Sequence, residues 1–240
     1  MPIISPESGY LTVVNLFLTD TAENQERLLG AMREIVDTAA YPGWISSTVH
    51  AGQDRFGTAN YIQWRSGEDL EARYAGDEFN HRTLPLFGEI TTSMKLLQNE
   101  VVFTQLRSGA ATATEISPGR DDYTVIEFLG VAAENQDDLV DAVGPAQDWL
   151  PTTPGYRSHS VLRGLGSRNV EGSFVVTYSQ WDSKELYDAY RALPADVRPA
   201  ARQKVRARLE ALVLTSEENT YRVVHSRSAG SPSLTEAHAG

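Results

Sequence analysis

The spacing of apolar residues along the chain changes period several times, and each change marks an element. Tyr10–Leu18 is a nearly continuous apolar, β-branched run and predicts a strand. Leu28, Leu29, Met32, Ile35, Val36 and Ala39 then follow helical spacing. Asp20 and Glu23 give that helix a capping-box-like start, and Pro42-Gly43 ends it. Strands are expected over 44–50 and 58–65, around a loop holding Gly52 and Gly57. Helices over 67–75 and 80–96 and a closing strand over 101–106 complete the half. The second half reads as a strand over 123–131, a helix over 135–150, strands over 156–163 and 172–181, helices over 183–192 and 195–211, and a strand over 220–225. Gly144-Pro145 lies inside the helix expected over 135–150, where proline forces a kink or a break.

The two halves resemble each other at an offset of about 111 to 117 residues. AENQERLL at 22–29 recurs as AENQDDLV at 133–140, and Pro42-Gly43-Trp44 as Pro154-Gly155-Tyr156. Asn60-Tyr61-Ile62-Gln63-Trp64 recurs as Thr177-Tyr178-Ser179-Gln180-Trp181, and Leu70 with Tyr74 as Leu186 with Tyr190. Two copies are too few for a solenoid, so a two-domain or pseudo-dimeric arrangement follows. The expected boundaries are a first repeat over 9–106, a linker over 107–121, a second repeat over 122–226 and a disordered tail over 227–240. Each copy reads βαββαβ. Such a sheet has one face covered by helices and one bare face that must be buried. The α+β fold expected is therefore two sheets facing each other as a barrel-like pair. Its helices would lie outside, with cavities between sheet and helices suited to flat apolar ligands.

Composition narrows the partners. A formal charge of −11 argues against nucleic acid or an anionic membrane. No apolar run approaches the roughly 20 residues that span a bilayer, and the N-terminus lacks a secretory pattern. Without cysteine there is no disulfide and no thiolate ligand, and a cytoplasmic location is the default. The five histidines show no metal-ligand spacing, so no metal is expected. Gly164-Leu165-Gly166 lacks the third glycine of a dinucleotide fingerprint.

The candidate chemistry centres on Asn60–Trp64. Alternation puts Asn60, Ile62 and Trp64 on one face, and His50 lies across the expected hairpin. Trp64 offers a flat apolar surface and one N–H, Asn60 both a donor and an acceptor, and His50 a proton near neutral pH. The competing reading is a structural tryptophan over a hydrogen-bonded asparagine. Asn15 and Glu127 interrupt the first strand of each copy at corresponding positions. They are either buried, with Glu127 a base of raised pKa, or solvent-facing at a sheet edge. His81 has a pocket-facing and a surface alternative.

Residues 42–66, PGWISSTVHAGQDRFGTANYIQWRS, resemble the signature of the antibiotic-biosynthesis monooxygenases, and the likeness extends over both repeats. It implies two ferredoxin-like repeats forming a dimeric-type α+β barrel. The chain resembles in particular the anthrone oxygenases of aromatic polyketide pathways, with larger relatives that open a ring in angucycline pathways. The resemblance assigns catalysis to Asn60 and Trp64, with His50 as the pocket histidine. Arg82 matches the family's helical arginine. The family's tyrosine six residues after the tryptophan is Leu70 in the first copy, with Tyr74 a turn later, and Tyr187 after Trp181 in the second. The second copy has Thr177 for the asparagine and Leu162 for the histidine. The first copy is thus expected to be catalytic and the second mainly structural, with Trp181 and Tyr187 supporting the opposite assignment. Asn15, Tyr74, His81, Arg82, Glu127, Trp181 and Tyr187 are the expected substrate-binding residues.

The implied function is an oxygenase that tailors a polycyclic aromatic polyketide. It would form a quinone with dioxygen as co-substrate and no tightly bound cofactor. The alternative is a reduced-flavin enzyme (FADH2 or FMNH2, delivered by a flavin reductase) that cleaves a C–C bond. Two further readings are haem degradation through Asn15, Trp64 and His81, and a non-catalytic polyketide-binding module. A homodimer stays open.

Overall fold

The computed structural model describes residues 2–107 and 113–231. The chain runs β1 (Ile3–Ile4), β2 (Leu11–Leu18), α1 (Ala22–Thr38), β3 (Trp44–Gly52), β4 (Gly57–Trp64), α2 (Gly67–Ala75), a π-helical turn (Phe79–Thr83), α3 (Leu84–Ile90) and β5 (Ser93–Leu106). It continues with β6 (Thr114–Glu115), β7 (Tyr123–Val131), α4 (Gln136–Val143), β8 (Tyr156–Ser167), β9 (Ser173–Trp181), α5 (Lys184–Ala192), α6 (Ala200–Leu212) and β10 (Val213–Ser228). Eight strands close into one barrel in the order β10-β3-β4-β2-β5-β8-β9-β7, every neighbouring pair antiparallel. The first half supplies β3-β4-β2-β5 and the second β8-β9-β7-β10. Closure leaves neither sheet with a free edge.

The seams are made by β5 and β10. Residues 93–99 of β5 pair with β2, and residues 97–106 pair with β8. Residues 213–221 of β10 pair with β7, and residues 221–228 with β3. Each strand thus serves both sheets, which corrects three expectations. The helix over 80–96 stops at Ile90, because Ser93 onward is taken into the barrel. The closing strand of the second half is 16 residues long and reaches Ser228. The tail boundary at 227 therefore falls inside a strand. Arg227 donates to the Val36 and Ala39 carbonyls at 2.9 and 2.8 Å. The remainder of the expected tail, from 232, lies outside the described residues, as do residues 108–112 of the linker. The rest of the linker is structured: β6 pairs with β1.

Strand alternation sends one face into the barrel and the other toward the helices. Val14, Tyr61, Leu97, Phe128, Leu162, Phe174 and Tyr178 fill the interior, so the barrel is packed and not a channel. The helix-facing side carries separate clusters for the first half and the second half. In the first, α1 buries Leu28, Leu29, Met32 and Val36 on the sheet. Its cap is Thr21, which accepts from the Asn24 amide at 3.1 Å, while Asp20 accepts from the Asn24 side chain at 2.8 Å. The expected Asp20–Glu23 box is not formed.

The counterpart helix α4 has eight residues against the 17 of α1. It ends at Val143 because Pro145 has no N–H to continue it. The chain then runs irregularly past Trp149 to Gly155. Likewise α6 starts at Ala200, not 195, after a 3-10 turn over Ala195–Val197.

Candidate functional site

Among the described residues a pocket lies between the barrel wall and its helices in each half. The two occupy corresponding positions: Asn15 faces Asn60 across the β2–β4 ladder, and Glu127 faces Thr177 across β7–β9. Trp64 and Trp181 end the corresponding strands, opposite Leu11 and Tyr123.

The first pocket is narrow and apolar, about 70 Å³, bounded by Met32, Val36, Trp44, Ile62, Leu70 and Phe87 among others. That space holds no more than a few waters. Trp64 stacks on Tyr41, ring centroids 6.4 Å apart at 28°, and the Arg73 guanidinium covers the other ring at 4.2 Å. Three buried polar atoms here have no protein hydrogen-bond partner: Asn15 Oδ1, Asn60 Oδ1 and Trp64 Nε1. Tyr74 packs on Phe79 at 4.7 Å and under Arg168, which arrives from the second half, at 4.1 Å. Burial pushes the Tyr74 phenol up to about 12.

Three expected members are elsewhere. His50 pairs in register with Ala59, while its neighbour Val49 pairs with Asn60. One residue of register places an imidazole on the opposite face of the sheet, so His50 is fully buried inside the barrel. Its Nδ1 lies 3.1 and 3.2 Å from the Thr48 and Ala59 carbonyls and therefore carries the proton. Its Nε2 accepts from the Tyr178 hydroxyl at 2.9 Å. Burial holds it neutral, with its pKa down to about 4. His81 and Arg82 are also outside the pocket. The π-helical turn directs Phe79 and Thr83 inward and leaves His81 and Arg82 exposed.

The second pocket is larger, about 540 Å³, within the range of sites for drug-sized ligands (roughly 300–1,000 Å³). Its size follows from the short α4: the Gly144–Gly155 segment brings Gln147, Trp149 and Leu150 to the rim, where helix stands in the first half. Trp181 is the centre of an aromatic wall. Tyr156 lies at 5.8 Å, Tyr187 at 5.3 Å and Tyr190 at 5.0 Å between ring centroids. Glu127 is half-buried on the floor, accepts from Ser216 Oγ at 2.8 Å, and stands opposite Glu218 in the β7–β10 register. Burial raises its pKa, the Ser216 hydrogen bond opposes that, and the Glu218 charge adds to the rise. Glu218 in turn accepts from Tyr187 OH at 2.9 Å and is paired with Arg191.

The sequence reading missed several residues of this pocket. His159 lines it, with Nε2 2.7 Å from the Val143 carbonyl; that nitrogen donates, leaving Nδ1 unprotonated. Burial lowers its pKa to about 4. The first half has Ser47 there, facing Ile62 as His159 faces Ser179. Its alternation with Val161 along β8 was the available signal. Arg198, Arg202 and Arg206 also line the pocket. Arg202 and Arg206 lie one turn apart on α6, a spacing visible in the sequence, while Arg198 precedes the helix in extended backbone.

A family model described as antibiotic biosynthesis monooxygenase matches residues 122–196, the second half through α5. No curated protein matches the chain. Among solved structures, an anthrone oxidase-like protein is 55% identical, with 96% of this chain and 98% of that one covered and a TM-score of 0.94. A candidate monooxygenase from Fusobacterium nucleatum is 9% identical, covering 93% of this chain and 96% of that one at a TM-score of 0.59. Another from Lactobacillus acidophilus is 13% identical, covering 94% and 99% at 0.54. These two share the fold.

Proposed function

This chain belongs to the antibiotic biosynthesis monooxygenase family and is a monooxygenase of that type, and we propose that its second pocket oxidises a fused-ring phenol or anthrone with dioxygen. One observation carries the reading: a ligand-sized cavity whose wall is the Trp181 aromatic cluster and whose floor holds the half-buried Glu127. Flat rings lie against Tyr190, which packs on the buried Trp181. Glu127, its pKa raised toward the working range, takes the proton of the substrate. The resulting anion is electron-rich and passes electrons to dioxygen, forming a C–O bond. The peroxide then loses water, so that CH2 becomes C=O while one oxygen atom enters the product and the other leaves as H2O. The chain's own part is to orient the rings, accept the proton and keep bulk water out. Similarity to the anthrone oxidase-like protein supports this substrate class. Tailoring of a polyketide is a finer version of this reading, and C–C bond cleavage with a separately delivered reduced flavin is the alternative to it.

A second reading places the reaction in the first pocket, and the unpartnered Asn15, Asn60 and Trp64 atoms favour it. Oxygen uptake with a three-ring anthrone separates the two. The second-pocket reading expects Trp181→Phe and Glu127→Gln each to lower kcat/KM by about 100-fold, within the usual range for a general base. Asn60→Ala and Trp64→Phe would change it less than about threefold. The reverse pattern moves the chemistry to the first half.

A further inference from the structure

The second pocket gathers four arginines against three glutamates, Glu127, Glu210 and Glu218. In a chain of net charge −11, four arginines line one cavity: Arg191, Arg198, Arg202 and Arg206. Two are neutralised, Arg191 by Glu218 and Arg206 by Glu210. Arg198 and Arg202 are half-buried and, among the described residues, have no carboxylate partner. Each spends one guanidinium donor on a backbone carbonyl, Arg198 on Leu193 at 2.7 Å and Arg202 on Tyr190 at 2.9 Å. The Arg202 guanidinium also lies 3.9 Å from the centroid of the Tyr190 ring, and that ring packs against Trp181. Burial holds Arg202 below the usual arginine range, and the charges of Arg198, Arg191 and Arg206 press the same way. Gathering like charges at half-buried positions is unfavourable in the empty pocket. It becomes favourable when an anion enters, because guanidinium donors remain free for a charge-assisted pair.

We propose that the second pocket takes a fused-ring aromatic bearing a negatively charged group, with the rings against Tyr190, which packs on the buried Trp181, and the anion held by Arg198 and Arg202. The inference rests on reading this pocket as the reaction chamber and adds a polarity to it. The charged edge of the ligand lies under α6, and the reacting ring points toward Glu127, so that its negative charge is kept from the carboxylates of the floor. The anion could be a carboxylate on the substrate or the phosphate of a flavin mononucleotide. The shared chemistry is a planar aromatic with an anionic edge.

The test is quenching of tryptophan fluorescence by two matched pairs: anthraquinone-2-carboxylate with its methyl ester, and flavin mononucleotide with riboflavin. A charge-assisted subsite predicts that the charged member of one pair binds about 10- to 100-fold more tightly at low salt. Raising the salt should shrink that preference. The responsive pair identifies the source of the anion. Arg198→Gln with Arg202→Gln should reduce the ratio to within about twofold, while Arg198→Lys with Arg202→Lys should keep most of it. Equal binding within both pairs by the wild-type chain overturns the subsite, whatever the variants do. Oxygen uptake in the same samples keeps the two claims apart. Trp181-dependent uptake with no charge preference removes the subsite and leaves the chamber. Charge-selective binding with uptake that ignores Trp181→Phe removes the chamber and leaves an anion-binding pocket.

Discussion

Two positions of one ladder distinguish the pockets: Asn15 and Asn60 in one half, Glu127 and Thr177 in the other. An asparagine pair is neutral and leaves two carbonyl oxygens unpartnered. A glutamate beside a threonine and opposite Glu218 is a proton acceptor whose affinity for the proton rises with burial. Single residues also fix the turns that lead into β3 and β8. Gly43 and Gly155, the glycines of the two Pro-Gly motifs, have φ of +75° and +80°. A Cβ on Gly155 would lie 2.4 Å from Leu186 Cβ, on the helix that carries Tyr187. Gly155→Ala therefore combines a left-handed backbone penalty with a clash, together about 3 kcal/mol. The melting temperature should fall by roughly 10 °C. An unchanged melting curve would show that this turn relaxes freely and that the Pro-Gly repeat has another cause.

At the scale of elements, α4 decides which half can hold a large ligand. AENQERLL begins α1 at its first residue, whereas AENQDDLV opens with a 3-10 turn and begins α4 at Gln136, and Gly144-Pro145 stops that helix after eight residues. The loop that follows leaves about 540 Å³, where the unbroken α1 leaves about 70 Å³. Replacing Gly144-Pro145 by Ala-Ala should extend α4 toward the cavity. Far-ultraviolet circular dichroism would then report added helix, and the affinity for a three-ring ligand should drop by about tenfold or more, a few lost ring contacts' worth. Added helix with unchanged affinity would mean that the ligand sits away from this rim. The seam strands show a different dependence. β5 and β10 read as short closing strands, yet residues 93–99 and 213–221 pair within their own half while residues 97–106 and 221–228 pair with the other, and barrel closure requires both.

The whole molecule should be sensitive to acid. His50 in the barrel and His159 in the second pocket are both buried and neutral, each with a folded pKa of about 4 against 6.5 for the free side chain. Between these values the unfolded chain binds more protons than the folded one, so stability rises with pH. It is fully present above about pH 6.5 and is lost progressively as the pH falls toward 4, by up to about 3 kcal/mol for each histidine. Glu127, with its raised pKa, runs in the opposite sense and offsets part of that loss. Urea denaturation should show a midpoint that falls between pH 7 and pH 4, and less steeply in His50→Phe. A midpoint independent of pH over this interval would contradict the buried neutral imidazoles. Among the described residues no helix is long and apolar enough to cross a membrane.

The sequence by itself determined the local order. Apolar period and turn chemistry placed α1, α2, α5 and β7 to within a few residues, the Pro-Gly turns, and the break before Pro145. These depend on neighbours in the chain. It also put Asn60 with Trp64 on one face, and Asn15 at the position corresponding to Glu127, because alternation is a local rule. Tertiary structure decided the rest. His50 differs from a pocket residue by one step of register, which is set by the pairing of β3 with β4 and β10 and filled by Tyr178 from the other half. The lengths of β5 and β10 depend on barrel closure. Which pocket is large depends on where the chain goes after α4, and the meeting of Arg198 and Arg202 with Trp181 depends on how α5 and α6 lie over β9. Each of these is a relation between residues far apart in sequence, and hydrophobic pattern carries no information on distance across the fold.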